Sequence, residues 1–351
     1  IRGGIKMQMY IAKIKEIVYD YHRPLTDESI LKWINQFDQN DRIDLLSEVV
    51  NILEKTYISE ESAERILSEF IDHLLLNFFE QNLENLINNS TFLSCQAIYK
   101  SQSILLNKLK ILFSKRFDAE ISFNDLSKKY LIYIDDNLSS GGTFTKDIKK
   151  LVEEISWDLF IQQDKRIIPF FFYLHNWGYN NSKYSLNSQY RGIQNKINFI
   201  CHYQIENNPR INAYNREPKF NHAYIKDEND LRVHTYLDNL TNRTRNYQMK
   251  NIEYAFRPEN LPNTETFFTS VAARDRYEKI ILNKGLDIIE RISSCSDSTR
   301  PLGFTSPSHQ TLGLGSHVFT WRNTSNTCPI IYWWESNGWS PLLPVQNRGQ
   351  N

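Results

Sequence analysis

Cysteine is scarce in this chain, and an excess of either charge is missing. The four cysteines, Cys95, Cys201, Cys295 and Cys328, lie far apart with no CxxC spacing, which argues against a structural zinc site and a disulfide framework. Lysine plus arginine equals aspartate plus glutamate at 41 each, so no global basic field marks a nucleic-acid binder, although a local basic face stays open. No run approaches the ~18 to 20 uncharged apolar residues of a membrane span, and the opening IRGGIKMQMY lacks a secretory pattern. The expectation is a soluble, cytoplasmic protein with no membrane partner. The histidines form no HExxH or paired ligand spacing, which leaves a zinc catalyst unsupported. No internal repeat and no low-complexity linker divides the chain.

What is present begins with helices. Ile30, Leu31, Trp33, Ile34 and Phe37 fall on one face after the N-cap candidate Thr26. Asp41 precedes a second amphipathic stretch from Ile43 to Leu53, and a third runs from Ser59 to Phe79. The texture then changes to short apolar runs alternating with helices, the pattern of a parallel sheet with crossover helices. Strands are expected at Thr91 to Ser94, Tyr130 to Ile134 and Ile167 to Leu174, and helices at Ser101 to Phe113 and from Phe144 to Leu159. Residues 180–251 are rich in asparagine, tyrosine and charge and read as surface insertion. A helix is expected from Phe267 towards Gly285, and a tryptophan-rich, strand-like tail from Leu312 to Pro344, including an apolar strand from Pro329 to Trp334. The chain therefore divides on paper into a helical region, 1–88, and an α/β domain, 89–351, with an insertion at about 180–251 and an extension at 312–351.

One segment carries chemistry. LIYIDDNLSSGGT, Leu131 to Thr143, is an apolar strand delivering Asp135 and Asp136 at its end, then a small-residue turn into an amphipathic helix. Backbone amides of Ser139 to Thr143 at a helix N-terminus suit a phosphate, Gly141 and Gly142 allow close approach, and the hydroxyls of Ser139, Ser140 and Thr143 add donors. Adjacent carboxylates suit the vicinal hydroxyls of a ribose, directly or through a magnesium ion. The plain alternative is a capped turn with a flexible connection.

LIYIDDNLSSGGT resembles the phosphoribosyl pyrophosphate signature of type I phosphoribosyltransferases: four apolar residues, two acids and a hydroxyl-rich GGT loop. The resemblance implies that Asp135 and Asp136 hold the ribose hydroxyls and that Ser139, Ser140, Gly141, Gly142 and Thr143 wrap the 5'-phosphate, in a type I phosphoribosyltransferase-like parallel sheet flanked by helices. Asn137 departs from the family's apolar residue. At Ser139 some base-salvaging members carry an acid, and its absence leaves the acceptor and the general base unassigned. The family's second loop, which binds pyrophosphate, would fall at Lys100, Ser101, Gln102 and Ser103 just before a helix; an N-capped helix with an incidental lysine is the equal alternative.

Over nearly the whole chain, WINQFDQNDRIDLLSEVV, the acid-pair loop, FFTSVAARDRYEKIILNKG and RNTSNTCPIIYWW together resemble the phosphoribosyltransferase-like effector domains of bacterial conflict systems, some of them retron-associated. This implies a toxic anti-phage effector, a pentosyltransferase that depletes or modifies nucleotides or nucleic acid. Its implied partners are phosphoribosyl pyrophosphate or a nucleotide and the other components of a defence complex, such as a reverse transcriptase with its non-coding RNA and DNA. The alternative is a non-catalytic sensor or regulatory subunit that binds the same ligand. Arg274 and Glu278 share a helical face with Asp275 close by, as an exposed ion pair or as residues that bind substrate or brace the site. Arg322, Asn323 and Asn326 form a turn that binds phosphate or base edges, or satisfies local backbone. Trp333, Trp334 and Trp339 pack the tail onto the core or stack on a base. His175, at the end of IIPFFFYL, is a base or a turn residue bonded to backbone.

Overall fold

Leu131 to Ile134 offers no charged side chain to solvent, and a strand of that kind is stable only when both faces are covered. In the computed structural model, which describes residues 2–97, 100–209, 216–247 and 254–346, it lies inside a four-stranded parallel sheet. The chain forms two compact units, one of Ile1–Glu60 with Glu206–Asn351 and one of Glu61–Ile205. The helical preface expected over 1–88 is divided between them.

In the first unit α1 (Arg2–Ile17), α2 (Asp27–Ile34) and α3 (Arg42–Thr56) lead into β1 (Tyr57–Ile58). Thr26 and Ser29 close a reciprocal capping box at the start of α2, at 3.1 and 2.9 Å, as the Thr-x-x-Ser spacing allows. The second unit opens with α4 (Glu60–Phe78) and α5 (Leu83–Asn89), then runs β2 (Ser90–Phe92), α6 (Ser101–Phe117), β3 (Tyr130–Leu138), α7 (Gly142–Ile155), α8 (Trp157–Gln162), β4 (Arg166–His175), α9 (Asn176–Gln189) and β5 (Ile200–Ile205). Back in the first unit come α10 (Leu231–Arg243), α11 (Val271–Glu290), β6 (Phe319–Thr320) and β7 (Asn323–Thr324).

The sheet of the second unit has the order β2-β3-β4-β5, every neighbour parallel. Strands that alternate with helices demand this arrangement, because a parallel neighbour needs a crossover. On one face Leu131, Tyr133, Ile167 and Phe171 pack against Phe144, Ile148 and Val152 of α7 and Leu186 of α9. Each buried aliphatic or aromatic side chain there contributes about 1.5–3 kcal/mol.

Four expectations are corrected. β3 runs past Ile134 to Leu138, because Asp135, Asn137 and Leu138 keep pairing with Phe171, Tyr173 and Leu174 of β4; the acids belong to the strand end, not the loop. The stretch read as insertion contains β5, whose alternating exposure gives it the look of a surface segment; its residues 210–215 and 248–251 lie outside the described residues, as do 347–351 of the extension. The last helix starts at Val271 rather than Phe267, because the Ser270 side chain accepts from the Ala273 amide at 3.1 Å and fixes the cap. Pro329 to Trp334 contains a 3-10 turn, Ile330–Tyr332, in place of a strand; a short apolar run can be buried in either form.

The tail packs by its aromatics. The indoles of Trp33 and Trp339 both donate to the Ile331 carbonyl, at 3.1 and 3.0 Å, and Phe37 meets Trp339 edge to face. Trp333 donates to the Cys328 carbonyl at 2.8 Å. Among the described residues no helix is long and apolar enough to cross a membrane.

Candidate functional site

Successive side chains of a strand face opposite sides of the sheet, so Asp135 and Asp136 begin from opposite faces. Asp135 follows Tyr133 and is buried; Asp136 is half-buried. A cavity of about 40 Å³ is lined by Tyr133, Asp135, Asn137, Phe171 and the residues Leu138 to Phe144, without Asp136. The loop expected to hold a phosphate thus shares a cavity with the first carboxylate.

Asp135 is held by three donors. Its Oδ1 accepts from Ser101 Oγ at 2.6 Å and from the Asp136 amide at 2.8 Å, and its Oδ2 accepts from Gln96 Nε2 at 2.6 Å. Burial in the sheet, reinforced by the neighbouring Asp136 charge, pushes its pKa up to about 7 against the pull of those three bonds. The hydroxyl of Tyr133 accepts from Gln96 at 3.1 Å and donates to Asp147 Oδ2 at 3.1 Å. Asp147 is also raised, again by burial first.

Ser101 reaches Asp135 because it opens α6 beside the end of β3. Gln102, fully buried, fixes that placement: its Nε2 donates to the Ile134 carbonyl at 3.1 Å, while its Oε1 accepts from the amides of Cys95 and Gln96 at 2.7 and 3.0 Å. Ser103 Oγ closes the same loop on the Ala97 carbonyl at 3.1 Å. Lys100 is exposed at the N-cap of α6. Of the second candidate loop, Ser101 meets the acid, whereas Gln102 and Ser103 brace the backbone.

The glycine loop is shaped by α9. Gly141 has φ +81°, the left-handed region that favours glycine, and a Cβ there would collide with the Ser182 hydroxyl and the Gly178 carbonyl. Gly178 in turn sits on the Ser139 backbone, where a side chain would overlap the carbonyl. Ser182 Oγ donates to the Gly141 carbonyl at 3.3 Å. The first amides of α7 follow, those of Thr143 and Phe144 among them, with no acceptor inside the helix. Ser140, Gly142 and Thr143 are exposed and Ser139 half-buried, so an anion can reach this end of the helix, where the dipole favours it.

Beyond the loop, Ser140, Gly141 and Gly142 also border a groove of about 550 Å³ walled by Lys146, Lys149 and Lys150 of α7 and by Asn181 and Ser185 of α9. Lys146 and Lys150 are one turn apart on one helical face, about 6 Å along the axis. Glu153 is the acid in that lining. This is a local basic face in a chain of zero net charge.

His175 is fully buried, and its Nδ1 bonds the Leu138 carbonyl at 3.0 Å. Burial holds it neutral, with its pKa lowered to about 4. It ties the end of β3 to β4, as the backbone-bonded reading has it.

Arg274 and Glu278 lie in the first unit and the acid-pair loop in the second. Both are buried, not the exposed pair that i, i+4 spacing suggests. Arg274 Nε donates to Glu265 at 2.5 Å, Nη1 to Glu278 at 3.1 Å and to the His222 carbonyl at 3.1 Å, and Nη2 to the Phe220 carbonyl at 2.8 Å. Its guanidinium lies 4.4 Å from the Phe268 ring centre. Arg257 joins Glu278 at 3.5 Å and Asp275 at 2.5 Å, and Lys226 completes the set on Asp275 at 2.6 Å. The network braces α11 against the segments before it. Asn323 accepts from the amides of Thr324 and Gln346 and donates to the Gln346 carbonyl at 3.1 Å. The Asn326 carbonyl accepts from the Phe304 amide at 2.7 Å, and Arg322 is half-buried beside them.

Sequence reasoning missed Gln96, Tyr133, Asp147, Gly178 and Ser182. A glycine and a serine four residues apart on one helical face hinted at close backbone approach; the others gave no signal short of the fold.

A family model described as PRTase-CE matches residues 30–345. Searches of curated proteins and of solved structures give no match.

Proposed function

The chain belongs to the PRTase-CE family, and on that premise we propose that the Asp135–Thr143 edge binds a phosphoribosyl ligand and transfers its pentosyl group. The name speaks for a phosphoribosyltransferase-like domain; the ligand, the reaction and the biological setting are our reading. One observation carries it: Ser101 from the second candidate loop is hydrogen-bonded at 2.6 Å to the acid that shares a cavity with the glycine loop. Both loops therefore serve one sheet edge, at the carboxyl ends of parallel strands, where ligands of such sheets bind.

In this reading the amides and hydroxyls of Ser139 to Thr143 hold the 5'-phosphate, Asp135 meets a ribose hydroxyl from inside the cavity, Asp136 meets the ligand at the strand end outside it, and Lys100 with Ser101 hold the pyrophosphate. The bond from the anomeric carbon to pyrophosphate breaks, the electron pair leaves with pyrophosphate, and an acceptor nitrogen or oxygen bonds that carbon and gives up its proton. The chain's contribution is orientation and charge stabilisation rather than a covalent nucleophile. The two carboxylates are hard oxygen donors of the kind magnesium takes one or two of, the rest of its shell being water and substrate phosphates. Among the described residues no group of three or more His, Cys, Asp or Glu side chains is placed to hold a metal. When bound it would neutralise charge on the leaving pyrophosphate.

One observation favours the alternative of a sensor or regulatory subunit. Asp135 already accepts three hydrogen bonds, two at Oδ1 and one at Oδ2, which leaves it about one further acceptor site for a pair of ribose hydroxyls, and binding without turnover is compatible with that. The wider proposal is a toxic effector acting on nucleotides or nucleic acid within an anti-phage complex. Its support is the resemblance of the sequence and the basic groove beside the loop.

The test incubates the purified chain with phosphoribosyl pyrophosphate, magnesium, nucleotides and nucleic acid, followed by mass spectrometry of every fraction, alongside Asp135→Asn and Asp136→Asn. Pyrophosphate release and a pentosylated or deglycosylated product, lost in both variants, is the expected result. Binding with no product transfers the assignment to the sensor.

A further inference from the structure

The first unit holds a buried cation that the Arg274 network does not neutralise. Arg300 is fully buried. Its Nη1 donates to the backbone carbonyls of Asp297 and Thr299, the latter at 3.1 Å. Its Nε and Nη2 are buried with no partner among the described residues. Those two N–H groups lie parallel along one edge of the guanidinium, the edge that takes both oxygens of a carboxylate or two of a phosphate. The hydroxyl of Tyr236 on α10 is likewise buried without a partner among the described residues, and it lies close enough to Arg300 for the two to influence each other's titration.

The surroundings do not supply the missing charge. Arg243, two turns beyond Tyr236 on the same face of α10, pairs with Asp297 at 3.0 Å, so the acid next to Arg300 is already engaged. Cys295 and His309 complete the neighbourhood, the histidine held neutral by burial and by the Arg300 charge. A guanidinium stays protonated even when desolvated. A buried, unpaired cation is costly, whereas the same cation with a bound counter-ion is not. The unmatched Arg300 groups are donors and the Tyr236 hydroxyl can donate as well, so the complementary group is an acceptor with two oxygens, and the balance of charge calls for a single negative one.

We propose that Arg300 and Tyr236 form a binding site for a small oxyanion, the side-on edge of Arg300 holding two oxygens and the Tyr236 hydroxyl donating to one of them. The ligand class is a carboxylate or phosphate group. Tyr236, Cys295 and Asp297 are half-buried, so an ion enters by side-chain movement at the edge of the unit. This site is independent of the phosphoribosyl reading and stands whether or not that reading holds.

The experiment titrates the full chain with sodium phosphate, sodium formate and sodium chloride at matched ionic strength, reading the unfolding temperature and, by calorimetry, the affinity. Expected is a saturable stabilisation by phosphate or formate beyond that of chloride, and the stronger of the two identifies the group. Arg300→Lys keeps the charge and loses the parallel edge, so it weakens binding at least tenfold; Tyr236→Phe weakens it severalfold. Any phosphate response common to these variants and wild type belongs to the 139–143 loop and is subtracted. If neither oxyanion gives a saturable response in wild type, or if both variants respond as wild type does, the proposal is overturned. Arg300→Met should lose the response altogether, and where it fails to fold the Tyr236→Phe comparison decides.

Discussion

Two buried acids of this chain live in opposite company. Glu278 shares its pocket with Arg274 and Arg257, each charge finding a partner, while Asp135 receives three hydrogen bonds and, among the described residues, no cation. Both carboxyls are pushed up by burial. Only in the first case do paired charges answer that cost locally. The difference separates a brace from a site: a closed network leaves nothing for a ligand to do, and an acid beside an exposed phosphate loop leaves a charge for one to meet.

The largest effect that can break this comparison is in the brace. Arg274→Met strands Glu265 and leaves Glu278 with Arg257 alone, at 3.5 Å, and we expect a loss of roughly 3–5 kcal/mol in denaturant unfolding. A loss below about 1 kcal/mol would remove the distinction. Next is the acid without a cation. Because the Asp135 pKa rises on folding from an ordinary carboxylate value to about 7, the folded state binds more protons between roughly pH 4 and 7, and stability falls as pH rises through that window. Asp135→Asn removes that slope and is expected to be more stable than wild type at pH 8 by roughly 1–4 kcal/mol, while binding no phosphoribosyl ligand. Unfolding curves at pH 5 and pH 8 check it; equal slopes in both proteins would contradict it.

Gly141→Ala comes third. A side chain at φ +81° against Ser182 and Gly178 costs roughly 1–3 kcal/mol and moves the phosphate-facing amides, so inorganic phosphate affinity should drop more than tenfold by calorimetry. The smallest effect sharpens the comparison from the groove side. Lys149→Ala should leave stability within about 0.5 kcal/mol yet reduce the salt dependence of nucleotide binding, an outcome measured across a sodium chloride series.

Much of the sheet was legible because its strands are covered on both faces: Leu131 to Ile134 and Ile167 to Leu174 admit little else. The loop was legible because phosphate cradles are local, built from consecutive residues at one helix end. What the sequence hid was non-local. Ser101 and Asp135 meet only once α6 and β3 are side by side, and the Gln102 amide is taken up by two backbone segments instead of facing a ligand. β5 hid behind alternating exposure, and Pro329 to Trp334 behind an apolar run that either a turn or a strand can bury. The i, i+4 spacing of Arg274 and Glu278 does make them a pair, but burial depends on Glu265 and on the carbonyls of Phe220 and His222, which no spacing rule brings to α11.

The central claim, that the Asp135–Thr143 edge takes a phosphoribosyl ligand, is tested most directly by calorimetric titration of phosphoribosyl pyrophosphate with magnesium into wild type, Asp135→Asn and Arg322→Ala. Saturable binding to wild type and to Arg322→Ala, and none to Asp135→Asn, is the expected result. Equal binding to all three, or no binding to wild type, would contradict it.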